Sequence, residues 1–361
     1  MMRARLAAAG AVLAGVLAAT GCTSGDPDPS PSPTATPTAQ RWQRGEFTTE
    51  RDLCAALTPD VLNGLSLAPT ATGTSCDLRD PDSDAPVHRT LSVRSVRYEP
   101  PPARPDHTAT EEARHEFVRP PGWAYGRGSA LPGYGDEAKI ARTIGTFQWG
   151  RTVSVAVRVR NLVFQVEAET TTSEAAASGR VTPVGDLERG TLVVARALLA
   201  RLGAPARPAR TAAYGPGEVR KVHDVCRDVR DGARRVPGAP SPGDPSVGAL
   251  SAGCSWTHGD DGLVVTVEAV PPGANGAAAT SGAAELTRTW TGRDIEKVRH
   301  LGDEAAARRY DGGELRNVDL WARRGNLIVM VGYERWHGGP GVTAMRDDAA
   351  AIARSVFGAY R

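Results

Sequence analysis

VSVAVRVRNLVFQVEAE (153–169) and VDLWARRGNLIVMVGYE (318–334) are two versions of one pattern. Each sets runs of apolar residues on either side of a short turn, Arg160-Asn161 in the first and Gly325-Asn326 in the second. Folding the first stretch about a two-residue turn places Val159 opposite Leu162, Val157 opposite Phe164, Val155 opposite Val166 and Val153 opposite Ala168. Every pair on that side is apolar, whereas the other side holds Ser154, Arg158, Gln165 and Glu167. One face to bury and one to wet is the signature of an antiparallel sheet. The second copy in the same register sets Ala322 against Val329 and Leu320 against Val331. Glycine and asparagine tolerate the positive φ that such turns require.

The duplication extends outward in both directions. EFTTERDLCAAL (46–57) matches EVRKVHDVCRDV (218–229), TGTSCDLRD (72–80) matches LSAGCSWTHGD (250–260), and GYGDEAKIAR (133–142) matches HLGDEAAARR (300–309). Each copy closes on a helical pattern, DLERGTLVVARALLARL (186–202) or TAMRDDAAAIARSVFGAY (343–360). Five matches in the same order define an internal repeat. Within each copy the periodicity predicts a short helix carrying the first cysteine, with Thr49 to Asp52 capping it in the first copy. A strand follows at 91–99 or 262–270, the latter after an Asp261-Gly262 turn, and then an amphipathic helix at 108–118 or 281–290. The expected fold class is α+β, two tandem similar units, each an antiparallel sheet with helices packed on one face. The units run over 45–203 and 218–361, joined by a linker at 204–217.

Five cysteines are present. Cys54 and Cys76 fall in the first copy, Cys226 and Cys254 in the second, and a unit that folds alone closes its own bridge. The pairing is therefore Cys54–Cys76 and Cys226–Cys254, each bridge worth about 3 kcal/mol by the chain-entropy argument. Cys22 stands apart. It follows a basic MMRAR segment, an apolar run from Leu6 to Ala19 and the small residues Ala19-Thr20-Gly21. An apolar core too short to span a bilayer reads as a signal peptide over 1–21. Its small-residue end before a cysteine is similar to the bacterial lipobox, in which cleavage leaves Cys22 as a lipidated N-terminus. Residues 22–44 then form a disordered, proline-rich stalk.

Charge narrows the partners. Residues 41–210 hold 22 basic and 20 acidic side chains, and 211–361 hold 19 of each, so neither copy has the charge excess of a polyanion binder. The expected partners are the membrane, through the N-terminal lipid, and a cell-wall polymer, a lipid or an envelope protein, with no nucleic acid. The seven histidines show no H-x-x-x-H or H-E-x-x-H spacing, and no G-x-S-x-G occurs. No metal, cofactor or catalytic residue is therefore assigned. GYGDEA (133–138) fits a dinucleotide-loop pattern, but its second copy, HLGDEA, lacks the first glycine, and both read as turns in which Asp136 or Asp303 bonds backbone amides. The candidate ligand-binding residues are aromatic: Trp123, Tyr125 and Tyr134 among the glycines and prolines of 120–135, with Tyr333 and Trp336 in YERWHGG as the second copy's analogue.

The helix cysteine, a second cysteine followed by an aromatic (Cys254, Trp256), Gly302-Asp303-Glu304-Ala305 and the Gly325-Asn326-Leu327 turn resemble a group of actinobacterial cell-surface lipoproteins. That group carries a domain of unknown function. In the first copy Leu78 stands at the aromatic position. The resemblance implies the cell membrane's extracytoplasmic face and the α+β fold, and it brings no catalytic residues. The expected role is a non-catalytic surface binding or scaffolding module, with a cell-envelope enzyme acting on wall polymers or a lipid carrier as alternatives. A non-reducing peptide map is expected to join Cys54 to Cys76 and Cys226 to Cys254; a Cys54–Cys226 peptide would break the two-unit reading.

Overall fold

Both alternating stretches are antiparallel hairpins in the computed structural model, in the register that their apolar pairs dictate. The structure describes residues 42–360 apart from 70–74, 82–86, 105, 119–127, 145–149, 173–181, 208–210, 235, 237–242, 260, 289 and 291–293. Cys22 and most of the stalk therefore lie outside the described residues. Gln40–Arg361 make one compact body.

The first repeat builds a seven-stranded antiparallel sheet from β1 (Ala68–Pro69), β2 (Ser75–Arg79), β3 (Val87–Arg97), β4 (Ser129–Ala130), β5 (Glu137–Ile144), β6 (Arg151–Val159) and β7 (Leu162–Thr172). Their spatial order is β1-β2-β3-β7-β6-β5-β4. The chain leaves β3, crosses through helix α2 (Ala109–Val118) to the far edge, and meanders back to pair β7 with β3. The second repeat repeats this path with β8 (Asp244–Val247), β9 (Ser251–His258), β10 (Asp261–Ala269), β11 (Ile295–Lys297), β12 (Glu304–Asp311), β13 (Leu315–Arg324) and β14 (Leu327–Trp336), in the order β11-β12-β13-β14-β10-β9-β8. Its crossover helix is α5 (Ala279–Thr287). Asp261 pairs with His258 and Gly262 with Thr257, so both residues of the expected Asp261-Gly262 turn belong to β10. Both disulfides join the expected cysteines, one in each repeat. The first cysteine sits on a single short turn, Cys54–Ala56, and a separate helix α1 (Pro59–Leu65) begins at Pro59, whose missing amide suits a first helical position. In the second repeat α4 (Val225–Ala233) runs on unbroken, with Asp224 accepting from the Cys226 amide at 2.9 Å.

The helices occupy both faces of the sheet rather than one. The long closing helix α3 (Val184–Arg201) packs Val194, Ala195 and Leu198 in one core with Val153, Val155, Val157, Phe164 and Val166. Helix α2 lies on the opposite face, where Ala113 and Phe117 meet Val163 and Ala156. Ser154, Arg158 and Gln165, expected in water, are accordingly buried. Their polar groups are satisfied locally: Gln165 Nε2 donates to Ser154 Oγ at 2.7 Å and to Glu167 Oε2 at 3.1 Å. The second repeat has the same arrangement. Helix α6 (Val342–Ala359) packs on the Leu320, Ala322, Val329 and Val331 face, and α5 on the face of Trp321, Ile328 and Met330.

The shared motifs of the repeat are structural clasps. Asp136 Oδ2 accepts from the Arg160 amide (2.6 Å) and from Arg158 Nη1 (3.3 Å), and Asp303 Oδ2 accepts from the Gly325 amide (2.8 Å) and Arg323 Nη1 (3.1 Å). The glycine before each aspartate is required because a Cβ on Gly135 or Gly302 would come within 2.6 or 2.2 Å of the Arg158 or Arg323 carbonyl oxygen. Glu46 Oε1 caps α2 through the Thr110 amide at 2.7 Å, and Glu218 Oε1 caps α5 through the Thr280 amide at 2.8 Å.

One half of the second sheet's α5 face is buried against the first repeat. Arg151 Nε donates to Glu268 Oε2 at 3.2 Å, both side chains being 0% exposed. Glu268 Oε1 also accepts from the Val184 amide at 2.7 Å, so the second repeat caps the first repeat's α3. Beside it, Arg142 forks onto Glu188 at 2.8 and 2.9 Å and reaches Glu285 at 3.5 Å. Burial opposes the Arg142 charge, but the Glu188 and Glu285 carboxylates outweigh it and hold its pKa above the ordinary value. A Cβ on Gly185, in the first turn of α3, would lie 2.7 Å from Pro271, so this contact requires glycine. Replacing Arg151 by Met strands Glu268 and is expected to cost about 3–5 kcal/mol in urea unfolding. The double variant Arg151→Met/Glu268→Leu is expected to recover most of that, falling short by about 1 kcal/mol for the lost helix cap.

Candidate functional site

The five aromatic candidates separate once placed in the fold. Trp123 and Tyr125 lie outside the described residues. Tyr134 is 1% exposed, receives a hydrogen bond from Arg196 Nε at 3.1 Å, and bridges to Ala206 of the linker. Tyr333 is buried in the second repeat's core. Both rings are buried, Tyr134 in the turn before β5 and Tyr333 on the inward phase of β14. Trp336 is different. It ends β14 on the outward phase and is 36% exposed.

What surrounds Trp336 follows from register. On the same face of the second sheet, Tyr310, Asn317, Glu334 and Gly262 stand side by side across β12, β13, β14 and β10. The next row inward is Arg308, Asp319, Gly332 and Val264. Trp336 itself stands opposite Leu315. The further rows, with Trp321, Met330 and Ile328, are the half covered by α5 and the first repeat. Tyr310 is 52% exposed. Glycine stands at 262 beside Glu334 in one row and at 332 beside Val264 in the next, and a Cβ at Gly262 would meet nothing within 4 Å. The result is a shallow trough with one glycine in each row, aromatic rings toward its outer end and carboxylates beside them. Trp336 Nε1 donates to Glu334 Oε1 at 3.0 Å, and the Trp336 amide donates to Asp261 Oδ1 at 2.8 Å, which fixes the indole in place.

Asp319 lies where the trough meets the covered half. Burial pushes its pKa up to about 7; Arg308 opposes the shift and the Glu334 charge adds to it. At neutral pH the row can both donate and accept hydrogen bonds, through the Asp319 carboxyl, the Asn317 amide and the Glu334 carboxylate. In the first repeat the matching face carries Glu167, also raised by burial, with Arg94 opposing and Glu169 adding. There Thr143, Thr152 and Glu169 replace Tyr310, Asn317 and Glu334, so the aromatic end belongs to the second repeat alone.

Sequence reasoning found Trp336 and missed Tyr310, Asn317, Asp319 and Glu334. These residues are scattered over three strands and share no local motif. The signal was nevertheless present: the Leu320–Val331 pairing already sets Asp319 opposite Gly332, and outward-facing residues could be read from there.

Two other features lie on the first repeat. A cleft of about 490 Å³ is lined by Phe117, Val118, Leu131, Tyr134, Asp136 and Lys139, and it adjoins 119–127, outside the described residues. Glu112, His115 and Glu116 on α2 place three ligating atoms within 4.8 Å of one another. Arg104 lies 3.7 Å from Glu112, and His115 Nδ1 lies 3.2 Å from Glu116 Oε1, so each carboxylate already has a nitrogen beside it.

No family model and no curated protein matches the chain. Among solved structures it is similar to the di-domain ARO/CYC StfQ from the steffimycin biosynthetic pathway, at 11% identity over 85% of this chain and 90% of that one, with a TM-score of 0.14. It is also similar to the di-domain ARO/CYC BexL from the BE-7585A pathway, at 10% identity over 80% of this chain and 86% of that one, with a TM-score of 0.17. Likeness at this level carries no argument about the trough.

Asp319 gives a pH test of its environment. A carboxyl whose folded pKa is raised stabilises the fold while protonated, and that contribution is lost as pH rises from the unfolded value near 4 through about 7. Asp319→Asn is therefore expected to gain melting temperature relative to wild type between pH 4 and pH 8. A difference that stays flat across that range would show Asp319 to be solvated.

Proposed function

We propose that this is an exported lipoprotein of the actinobacterial cell surface, anchored through Cys22, whose globular body is a non-catalytic binding module. The signal-like N-terminus, the lone cysteine at its end and the proline-rich stalk support the location. One observation carries the binding role: while Tyr134 and Tyr333 are buried, Tyr310 and Trp336 stand exposed over a trough of hydrogen-bonding side chains. The space between each sheet and its closing helix is filled by packed aliphatic side chains, so a lipid held there has no support from the fold. Repeated elements such as the Asp136–Arg158 and Asp303–Arg323 clasps hold turns rather than converge on a reactive centre.

Two experiments test the two parts. Cys22→Ser is expected to move the protein from the membrane fraction to the soluble fraction of the producing cells; retention in the membrane would refute the lipid anchor. A photo-crosslinking p-benzoylphenylalanine at Thr257, an exposed residue on the same face beside Gly262, is expected to give a higher-mass product in intact cells. The same probe at exposed Arg189 on α3 serves as the control. Equal labelling at both positions, or none at Thr257, would remove the trough as the binding face.

A further inference from the structure

We propose that the trough takes an uncharged chain of β-linked pyranose sugars, with ring faces stacked on Trp336 and Tyr310 and hydroxyls bonded to Asn317, Glu334 and Asp319. This rests on the binding-module reading and adds the chemistry of the ligand. A β-linked pyranose presents flat C–H faces above and below and hydroxyls around its rim. It therefore needs exposed aromatic planes next to side chains that both donate and accept, which is the combination found here.

Dimensions and charge agree. Four adjacent strands at about 4.8 Å spacing make the row from Tyr310 to Gly262 about 14 Å across, room for a short oligosaccharide lying over the strands. Gly262 ends that line without a side chain, and Gly332 does the same in the next row, beside Val264. Arg308 stands across from Asp319 in the register, with Glu334 nearby, so the row offers no surplus positive charge for a phosphate or a nucleic acid. The two exposed rings are separated by polar residues, so they form no continuous apolar strip for an acyl chain. The hydrogen bond from Trp336 Nε1 to Glu334 fixes the indole before any ligand arrives and lowers the ordering cost of stacking.

The test is isothermal titration of the full chain in detergent micelles with chitotetraose and cellotetraose, two neutral β-1,4-linked tetrasaccharides that differ at the 2-substituent. Binding of at least one is expected. Trp336→Ala and Tyr310→Ala should each weaken it about tenfold, the scale of one lost stacking contact. Trp336→Phe, which keeps an aromatic plane, should stay much closer to wild type. Thermal melts of each variant separate loss of binding from loss of fold. Failure of both sugars to bind, or equal binding by wild type and a folded Trp336→Ala, overturns the proposal. If crosslinking at Thr257 succeeds while both sugars fail, only the sugar assignment falls and the binding face stands; if both fail, the binding face falls with it.

Discussion

Each repeat depends on one asparagine side chain at a hairpin turn. Asn161 accepts from the Phe47 amide at 2.8 Å, donates to the Phe47 carbonyl at 3.0 Å and donates to the Tyr98 carbonyl at 2.9 Å. Asn326 does the same with Val219, at 2.8 Å in both directions, and with Val270 at 2.9 Å. Three segments distant in sequence meet there: the incoming chain, the end of the first three-stranded half-sheet and the β6–β7 or β13–β14 turn. Both asparagines are buried, so every one of these bonds replaces a contact with water, and leaving one partner unmet costs about 1–3 kcal/mol. A residue that a sequence reading values for its turn geometry is holding the two halves of the sheet together.

The rest of each repeat is arranged around that point. The clasp of Asp136 or Asp303 fixes the turn from the other side, and Glu46 or Glu218, one residue before the segment that the asparagine holds, fixes the crossover helix. Because α2 and α5 are positioned from the same strip of chain, one face of each sheet is partly roofed. The roof is what separates the covered and open halves of the second sheet's outer face, and it places Asp319 at their boundary.

The hairpins, their register and the cysteine pairing were legible in sequence because each depends on short-range alternation or on the repeat itself. The burial of the outer face was not. Ser154, Arg158 and Gln165 have the composition of a wet surface, and only the helix crossing over them shows otherwise. Arg151 and Glu268 gave no sign either, since a single charge in a strand looks like solvent-facing decoration until its partner arrives from 117 residues away. Of the candidate site, Trp336 was visible as an aromatic near a glycine-rich turn. Tyr134 and Tyr333 carried the same cue but are buried, the first in a turn that meets the linker and the second on the inward phase of β14. The polar row exists only across strands and has no linear trace.

The contact between the repeats is head to tail: one face of the second meets a different end of the first. Such a joint leaves an unused face on the first repeat and an unused end on the second, and a second molecule could in principle add there and start a fibre. The residues at the matching positions oppose it. Where Glu268 sits in the joint, the free face of the first repeat has Val96, and where Arg151 sits, the free end of the second has Arg316. Arg142, Glu188 and Glu285 are matched by Arg309, Arg346 and His115. There Arg316 pairs instead with Asp311 at 3.4 Å, and Arg309 and Arg346 share Glu296 at 2.8 and 3.1 Å, so these charges are already satisfied within the second repeat. The joint that the two copies make within one chain is thus not written a second time: at the places where they disagree, each copy answers its own charges.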